Sequence, residues 1–402
     1  MHRFTFHRFH HRANASLLFR AYSWYTVLCL FSLLLLFSSC LPIQSYRHIT
    51  PDQKDVHRFT NAEVAHASNC FEFKEDTAHL SFQVSNWSNE EALCALPLND
   101  FLKQHHAIHF IVLRNDTIVY EYKNPTFKDD ALIPSFSLAK SLVSATLGVA
   151  IQQGKIRSIN DLVKSYIPEL NYHEYFNTLT INHLLNQKSG LRMEVDVITH
   201  ANYGKIEKIL PMLHFDAKPG EHLEYININS TLMGIILERA TGQDLHQYFA
   251  DHIWTKIGTC DSTVWGYDRR SNHTRAMSSF GASARDYAKF GLLYLNKGQW
   301  GEEQVVDSNW VKASTQPVNA LGDELGYNNN WFIGESQVGD YMIRGMYRQQ
   351  IYINPKERTV MVCFLKFYEP NRNMNWWAIF RQLSHQANQT NMPFEENTVL
   401  NR

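Results

Sequence analysis

No acidic side chain occurs before Asp52, and neither a Cys-x-x-Cys pair nor a His-Glu-x-x-His run occurs anywhere in the 402 residues. The six cysteines are Cys29, Cys40, Cys70, Cys94, Cys260 and Cys363, and none has zinc-type spacing. The 20 histidines include the run "HHAIH" (His105 to His109), which lacks partner ligands. No metal and no cofactor is therefore expected. Excess charge of one sign is missing too: 38 basic and 39 acidic residues leave a formal net charge of -1. Without a basic field there is no pointer to nucleic acid, and the expected partner is a small-molecule or peptide substrate. Apolar residues make up 44% of the chain and aromatic ones 13%. That suffices for a sizeable core in one large domain or two small ones.

The acid-free start does contain Arg3, Arg8, Arg12 and Arg20, then the apolar run "AYSWYTVLCLFSLLLLF" (Ala21 to Phe37), then Ser38, Ser39 and Cys40. A basic region, an apolar run and small residues in that order form an export signal. The ending "LLFSSC" resembles a bacterial lipoprotein lipobox, in which Cys40 becomes the lipidated first residue, although Phe37 stands where leucine is usual. The alternative is an uncleaved anchor, for which 17 residues is at the short limit of a span. Either reading places the body on the periplasmic side of a bacterial membrane, attached through lipid or anchor. In such an oxidising compartment Cys70 and Cys94 could pair, or remain free.

The chain then divides into a linker and extension (41–100), one large domain (101–390) and a tail (391–402). "AIHFIVLRNDTIVYEYK" (Ala107 to Lys123) reads as a hairpin of two apolar strands about Asn115-Asp116. Helical periodicity dominates from Ser137 to about Lys297. Strands return in "DYMIRG" (Asp340 to Gly345), "QQIYIN" (Gln349 to Asn354) and "RTVMVCFLKF" (Arg358 to Phe367), and a final helix carries "NMNWWAIFRQL". The expected fold class is α/β (α+β): one antiparallel sheet built from both ends of the domain, covered by helices, with a mostly helical middle.

Within that middle, "SFSLAKSLVSATLGVAIQQG" (Ser135 to Gly154) is apolar nearly all round, as a buried helix is. Pro134 and Gly154 are start and stop signals, and Ser135 is the expected N-cap, which puts Ser137 in the first turn and Lys140 on the same face. Two readings fit the pair. Lys140 snorkels to the surface along its methylene stem, or its amine meets the Ser137 hydroxyl at i, i+3 and helps make it a nucleophile. A desolvated amine gives up its proton more readily than a solvated one, which suits the second role.

The same helix, with "LTINHLLNQKSGL" (Leu179 to Leu191), "PGEHLEYININSTLMGIILERATG" (Pro219 to Gly242) and "GASARDYAKFGLLYLNKGQW" (Gly281 to Trp300), resembles the serine β-lactamase and penicillin-binding-protein superfamily. The likeness is to its class C-like branch, which also holds esterases, D-amino peptidases and a nylon-oligomer hydrolase. It runs from about Ala107 to Phe367. The resemblance implies that Ser137 is the acylated nucleophile, Lys140 its partner amine, Tyr225 the carrier of the serine proton and Asn227 a ligand of both the lysine and the substrate carbonyl. A phenol is a poor base near neutrality unless a cation stabilises its anion. Lys140 is the expected cation.

"KSG" (Lys188 to Gly190) resembles the superfamily's third motif but precedes Tyr225, so it is read as a helix end with Gly190 as the stop and Lys188 in solvent. The third motif is expected in "YMIRGMYRQQIYI" (Tyr341 to Ile353), where Gly345 fits the pattern and Arg348 replaces a usual glycine. An oxyanion hole needs only backbone N–H groups, here those of Ser137 and Met346. Arg344 and Arg348 either clamp a substrate carboxylate or point to solvent or an acid such as Asp340. The resemblance implies a serine hydrolase of an ester, amide or peptide-like substrate; a β-lactamase or D-Ala-D-Ala carboxypeptidase, and a non-catalytic penicillin-binding-like receptor, are the alternatives.

Overall fold

Strand Ala107–Arg114 is buried along almost its whole length: Phe110 and Val112 pack to one side while Ile111 and Leu113 pack to the other. Successive side chains of a strand point to opposite faces, so an unbroken apolar run needs cover on both. Thr359–Leu365, buried at every position, has the same property. These two strands pair with each other and form the centre of the main sheet.

The computed structural model describes residues 55–389 except 59, 78–80, 86–94, 128–131, 193–208, 269–270, 318–325 and 367–373. Cys40 and the apolar run before it lie outside the described residues. The main sheet has eight strands: β1 (Lys74–Glu75), β2 (Ala107–Arg114), β3 (Thr117–Lys123), β4 (Gly326–Asn328), β5 (Trp331–Ile333), β6 (Tyr341–Gly345), β7 (Gln349–Asn354) and β8 (Thr359–Leu365). Their spatial order is β4-β5-β6-β7-β8-β2-β3-β1. All pairs are antiparallel save β1 with β3. The β2–β3 hairpin turns at Asn115, whose φ of 54° is the left-handed geometry a short hairpin requires. The sheet is thus assembled from both ends of the domain, as the apolar runs predict, and the stretch expected as linker and extension supplies its parallel edge.

Helices close both faces. On one side lie α1 (Ala139–Gln152), α2 (Asn227–Thr241) and α3 (Ala284–Leu295); on the other, α4 (Trp376–Asn388) packs Phe380 and Leu383 against Phe110, Tyr352 and Met361. Each fully buried Leu, Ile or Phe contributes roughly 1.5–3 kcal/mol, so the two layers together account for most of the drive to fold. A smaller sheet crosses the middle of the chain: Asn61–Val64, Thr263–Asp268, Phe280–Ala282 and Ile133–Pro134 lie side by side. Its last strand runs straight into the turn that carries Ser137.

That smaller sheet also decides the cysteines. Pairing of Val64 with Thr263, followed by the bonds Ala67 N–H to Thr259 O (3.1 Å) and Phe71 N–H to Gly258 O (2.9 Å), brings Cys70 beside Cys260. The two form a disulfide with their Cα atoms 4.9 Å apart. Cys70 therefore does not pair with Cys94, which lies outside the described residues; strand register, invisible in cysteine spacing, chooses the partner. Beneath the bond a fully buried ion pair holds the Gly258–Asp261 loop: Asp286 accepts from the backbone N–H groups of Cys260 and Asp261 and from Lys289. Lys289 donates in turn to Gly258 O at 2.8 Å.

Closing so long a loop makes the bond a sizeable contributor to stability. Cys70→Ser, or reduction of the wild type, should cost about 2–5 kcal/mol, seen as a lower thermal midpoint, and a non-reduced digest should link the Cys70 and Cys260 peptides. A midpoint unmoved by reductant would mean that the bond does not form.

Candidate active site

Ser137 does not lie in the first turn of α1. It sits in a 3-10 turn, Phe136–Leu138, that precedes the helix at Ala139. Ser135 does not cap the helix: its hydroxyl donates to Phe136 O and accepts from Phe280 N–H at 3.2 Å, while its own N–H donates to Phe280 O at 2.7 Å. The turn is thus pinned to the small sheet. Phe136 has a φ of 46°, an unfavourable conformation for an aromatic residue immediately before the hydroxyl. Its ring is held edge-on to Tyr347 at 5.3 Å.

Lys140 is 1% exposed, so it does not snorkel. Its Nζ donates to Ser137 Oγ at 3.0 Å, to Asn227 Oδ1 at 2.8 Å and to the backbone carbonyl of Met277 at 3.1 Å. Three oxygens from three separate elements converge on one nitrogen, replacing the water it has lost. The Tyr225 ring completes the cluster, its centroid 5.0 Å from the same nitrogen. Tyr225 is 42% exposed. Its far side meets Tyr327 edge-on at 5.9 Å. Burial, reinforced by Tyr225, holds the Tyr327 phenol well above its ordinary pKa, and its OH donates to Asn330 Oδ1 at 2.8 Å. Asn330 reaches back to α1: its amide donates to Lys140 O at 3.2 Å, and its own carbonyl accepts from Ser141 Oγ at 2.6 Å.

The end of β6 lies against the turn that carries Ser137. A Cβ on Gly345 would stand 2.2 Å from Ser135 O and 3.3 Å from Leu138 N, so only glycine permits the approach. Met346, 47% exposed, follows immediately. Tyr347 and Arg348 then take φ values of 57° and 60°. The second value explains why glycine is the usual residue where Arg348 stands. Arg344, half-buried, lies with its guanidinium 5.1 Å from the Phe332 ring centroid. Burial and then the charge of Arg348 push its pKa below the arginine norm. Asp340 is not its partner, because both Asp340 oxygens accept from Arg381.

With this geometry established, comparison with known proteins is decisive. The Beta-lactamase family profile matches residues 99–384. The chain belongs to the Beta-lactamase family. It is 23% identical over 300 residues to the 6-aminohexanoate-dimer hydrolase of Paenarthrobacter ureafaciens, covering 65% of this chain and 73% of that one. It is 34% identical over 128 residues to Protein flp of Staphylococcus aureus, covering 29% and 25%. Among solved structures, a Bacillus anthracis protein described as a 6-aminohexanoate-dimer hydrolase superposes with a TM-score of 0.74 at 21% identity, over 86% of this chain and 95% of the other. A class C β-lactamase superposes at 0.56 and 15% identity, over 71% and 93%. The fold is that of the serine β-lactamases and penicillin-binding proteins, a fold of hydrolases.

Three residues in and around this cluster are not legible in the sequence. The Met277 carbonyl has no side-chain signature. Asn330 hides in the run Asn328 to Asn330, which signals only a turn. Gln187 stands beside the third-motif look-alike, in the left-handed region at φ 56°. The look-alike follows a helix end but is not the end itself: the helix Ile181–Leu185 stops at Asn186, so Gly190 is not its stop, and Lys188 is half-buried where solvent was expected.

Lys140 and Tyr225 should separate on substitution. Lys140→Arg keeps a charge but cannot cycle a proton, and it does not fit a pocket matched to three oxygens, so ester hydrolysis should fall by at least about 10³-fold. Tyr225→Phe removes one proton carrier and should cost roughly 10²- to 10⁴-fold in kcat. Near-normal turnover by Lys140→Arg would show that the amine serves only as a scaffold.

Proposed function

We propose that this protein is a serine hydrolase that passes through an acyl-enzyme on Ser137. The observation that supports it is the Lys140 nitrogen, buried and shared between Ser137 Oγ and Asn227 Oδ1 with Tyr225 against it. In the first half-reaction Ser137 Oγ attacks the acyl carbonyl carbon as its proton passes into the Lys140–Tyr225 pair. The tetrahedral oxyanion is held by the N–H groups of Ser137 and Met346, and collapse breaks the bond to the leaving group, which takes up that proton. In the second, water loses a proton to the same pair, attacks the ester and restores Ser137.

The substrate is an ester, amide or peptide-like compound that presents an anionic group toward β6. Arg344 and Arg348 have no carboxylate partner among the described residues, and a half-buried guanidinium without one is costly unless a ligand supplies it. Tyr225, 42% exposed, lies near this charge. The protein acts outside the cytoplasm, lipid-anchored through Cys40. The Cys70–Cys260 disulfide supports that setting, since such bonds persist where the surroundings are oxidising.

Neutral p-nitrophenyl esters, carboxylate-bearing esters and amides, D-Ala-D-Ala peptides and a chromogenic cephalosporin, assayed in parallel, test this reading. Turnover of the carboxylate-bearing esters or amides is expected. Binding or single acylation without turnover would instead identify a receptor. Arg344→Ala should lower kcat/KM for carboxylate-bearing substrates by about 10- to 100-fold, a charge-assisted hydrogen bond being worth roughly 1.5–3 kcal/mol, and leave neutral esters nearly unchanged. Equal losses on both classes would mean that Arg344 shapes the hairpin only.

For the anchor, Cys40→Ser should accumulate an unprocessed precursor, whereas wild type should begin at Cys40 and partition with detergent. Recovery of Ala21 to Phe37 in the mature wild-type chain would favour an uncleaved anchor.

A further inference from the structure

Tyr225 is exposed, lies on the loop leading into α2, and has neither neighbour in regular structure. A phenol that must hand protons between Ser137 and a leaving group cannot wander, so something must fix its backbone. The fixing group is one side chain and its own carbonyl. Gln187 O accepts from Glu224 N–H at 2.8 Å, and Gln187 Oε1 accepts from Ile226 N–H at 3.0 Å, one bond on each side of Tyr225. The same Oε1 also accepts from Asn229 Nδ2 at 2.9 Å, in the first turn of α2.

The rest of the loop is docked on the same turn. Asp216 N–H donates to Gly190 O at 3.0 Å and Gly220 N–H to Lys188 O at 2.7 Å. Gly190 approaches so closely that a Cβ on it would meet Ala217 O at 2.1 Å. Gln187 itself is 1% exposed and held at φ 56°, a strained placement maintained by the surrounding packing. The segment that mimics the third motif is therefore the template on which the tyrosine loop is laid.

From this geometry we infer that Gln187 is a positioning residue for Tyr225, and that its amide oxygen sets the distance of the phenol from Lys140. The inference rests on the proton-carrying role given to Tyr225 above. It assigns no contact between Gln187 and the substrate. Gln187→Met keeps length and shape and removes the amide, both its oxygen and the nitrogen side that meets Tyr327, itself packed on Tyr225.

The test is a double-mutant cycle on p-nitrophenyl ester hydrolysis, using the full chain. In the wild-type background Gln187→Met should lower kcat by about 10- to 100-fold, as small misplacements of a reacting group do, and leave KM within about 2-fold. In the Tyr225→Phe background the same change should cost less than about 2-fold, because a group that acts only through Tyr225 has nothing left to position. Equal losses in both backgrounds would overturn the inference, as would a Gln187→Met variant as fast as wild type. Should Gln187→Met fail to fold by circular dichroism, Gln187→Asn, which withdraws the oxygen by one bond and keeps the amide, must show the same dependence on background. A Tyr225→Phe variant with undiminished kcat would instead sink the role of Tyr225 itself, and this inference with it.

Discussion

Everything in the candidate site depends on how one buried nitrogen is satisfied. Lys140 has been taken out of water on the wall of the largest helix–sheet core, and an amine placed there without partners would cost several kcal/mol. Its three oxygens belong to the nucleophile turn, to the first residue of α2 and to the segment leading into the small sheet. Satisfying the lysine therefore forces those elements into one arrangement. The same contacts that satisfy the nitrogen aim it at Ser137.

Strain collects around that point and is held by packing elsewhere. Phe136, Gln187, Asn330, Tyr347 and Arg348 all have positive φ, and they lie in the turn that carries Ser137, the tyrosine loop's template, the β4–β5 turn and the β6–β7 connection. Each costs of order 1–3 kcal/mol in isolation. The surrounding sheet and helices over-determine them: Gly345 locks β6 onto the Ser135 carbonyl, and Asn330 ties the β4–β5 turn to the catalytic helix. A site so assembled keeps its geometry before any substrate arrives, which is what electrostatic preorganisation requires.

How much of this was legible in the sequence follows from which signals are local. Five of the eight strands of the main sheet were, because continuous apolar runs such as Val360 to Leu365 cannot be solvated, and so was α1; β1, β4 and β5, each two or three residues long, are too short to carry a pattern. Ser137, Lys140, Tyr225 and Asn227 were recognisable as linked motifs, and the structure brings all four together. The disulfide was not, because the partner of Cys70 is chosen by strand pairing some 190 residues away. The exact seat of Ser137, in a 3-10 turn pinned by Ser135, was missed because Ser135 reads as a cap until Phe280 is known to lie beside it. Gln187 and Asn330 escaped because amide residues in turns carry no mark that separates turn-making from site-building.

The central claim is that Ser137 forms the acyl-enzyme, and intact-mass spectrometry after treatment with a fluorophosphonate tests it most directly. One adduct is predicted on the wild type, mapped to the peptide containing Ser137, and none on Ser137→Ala. An adduct of equal stoichiometry on Ser137→Ala, or none on a folded wild type that hydrolyses esters, would contradict the account.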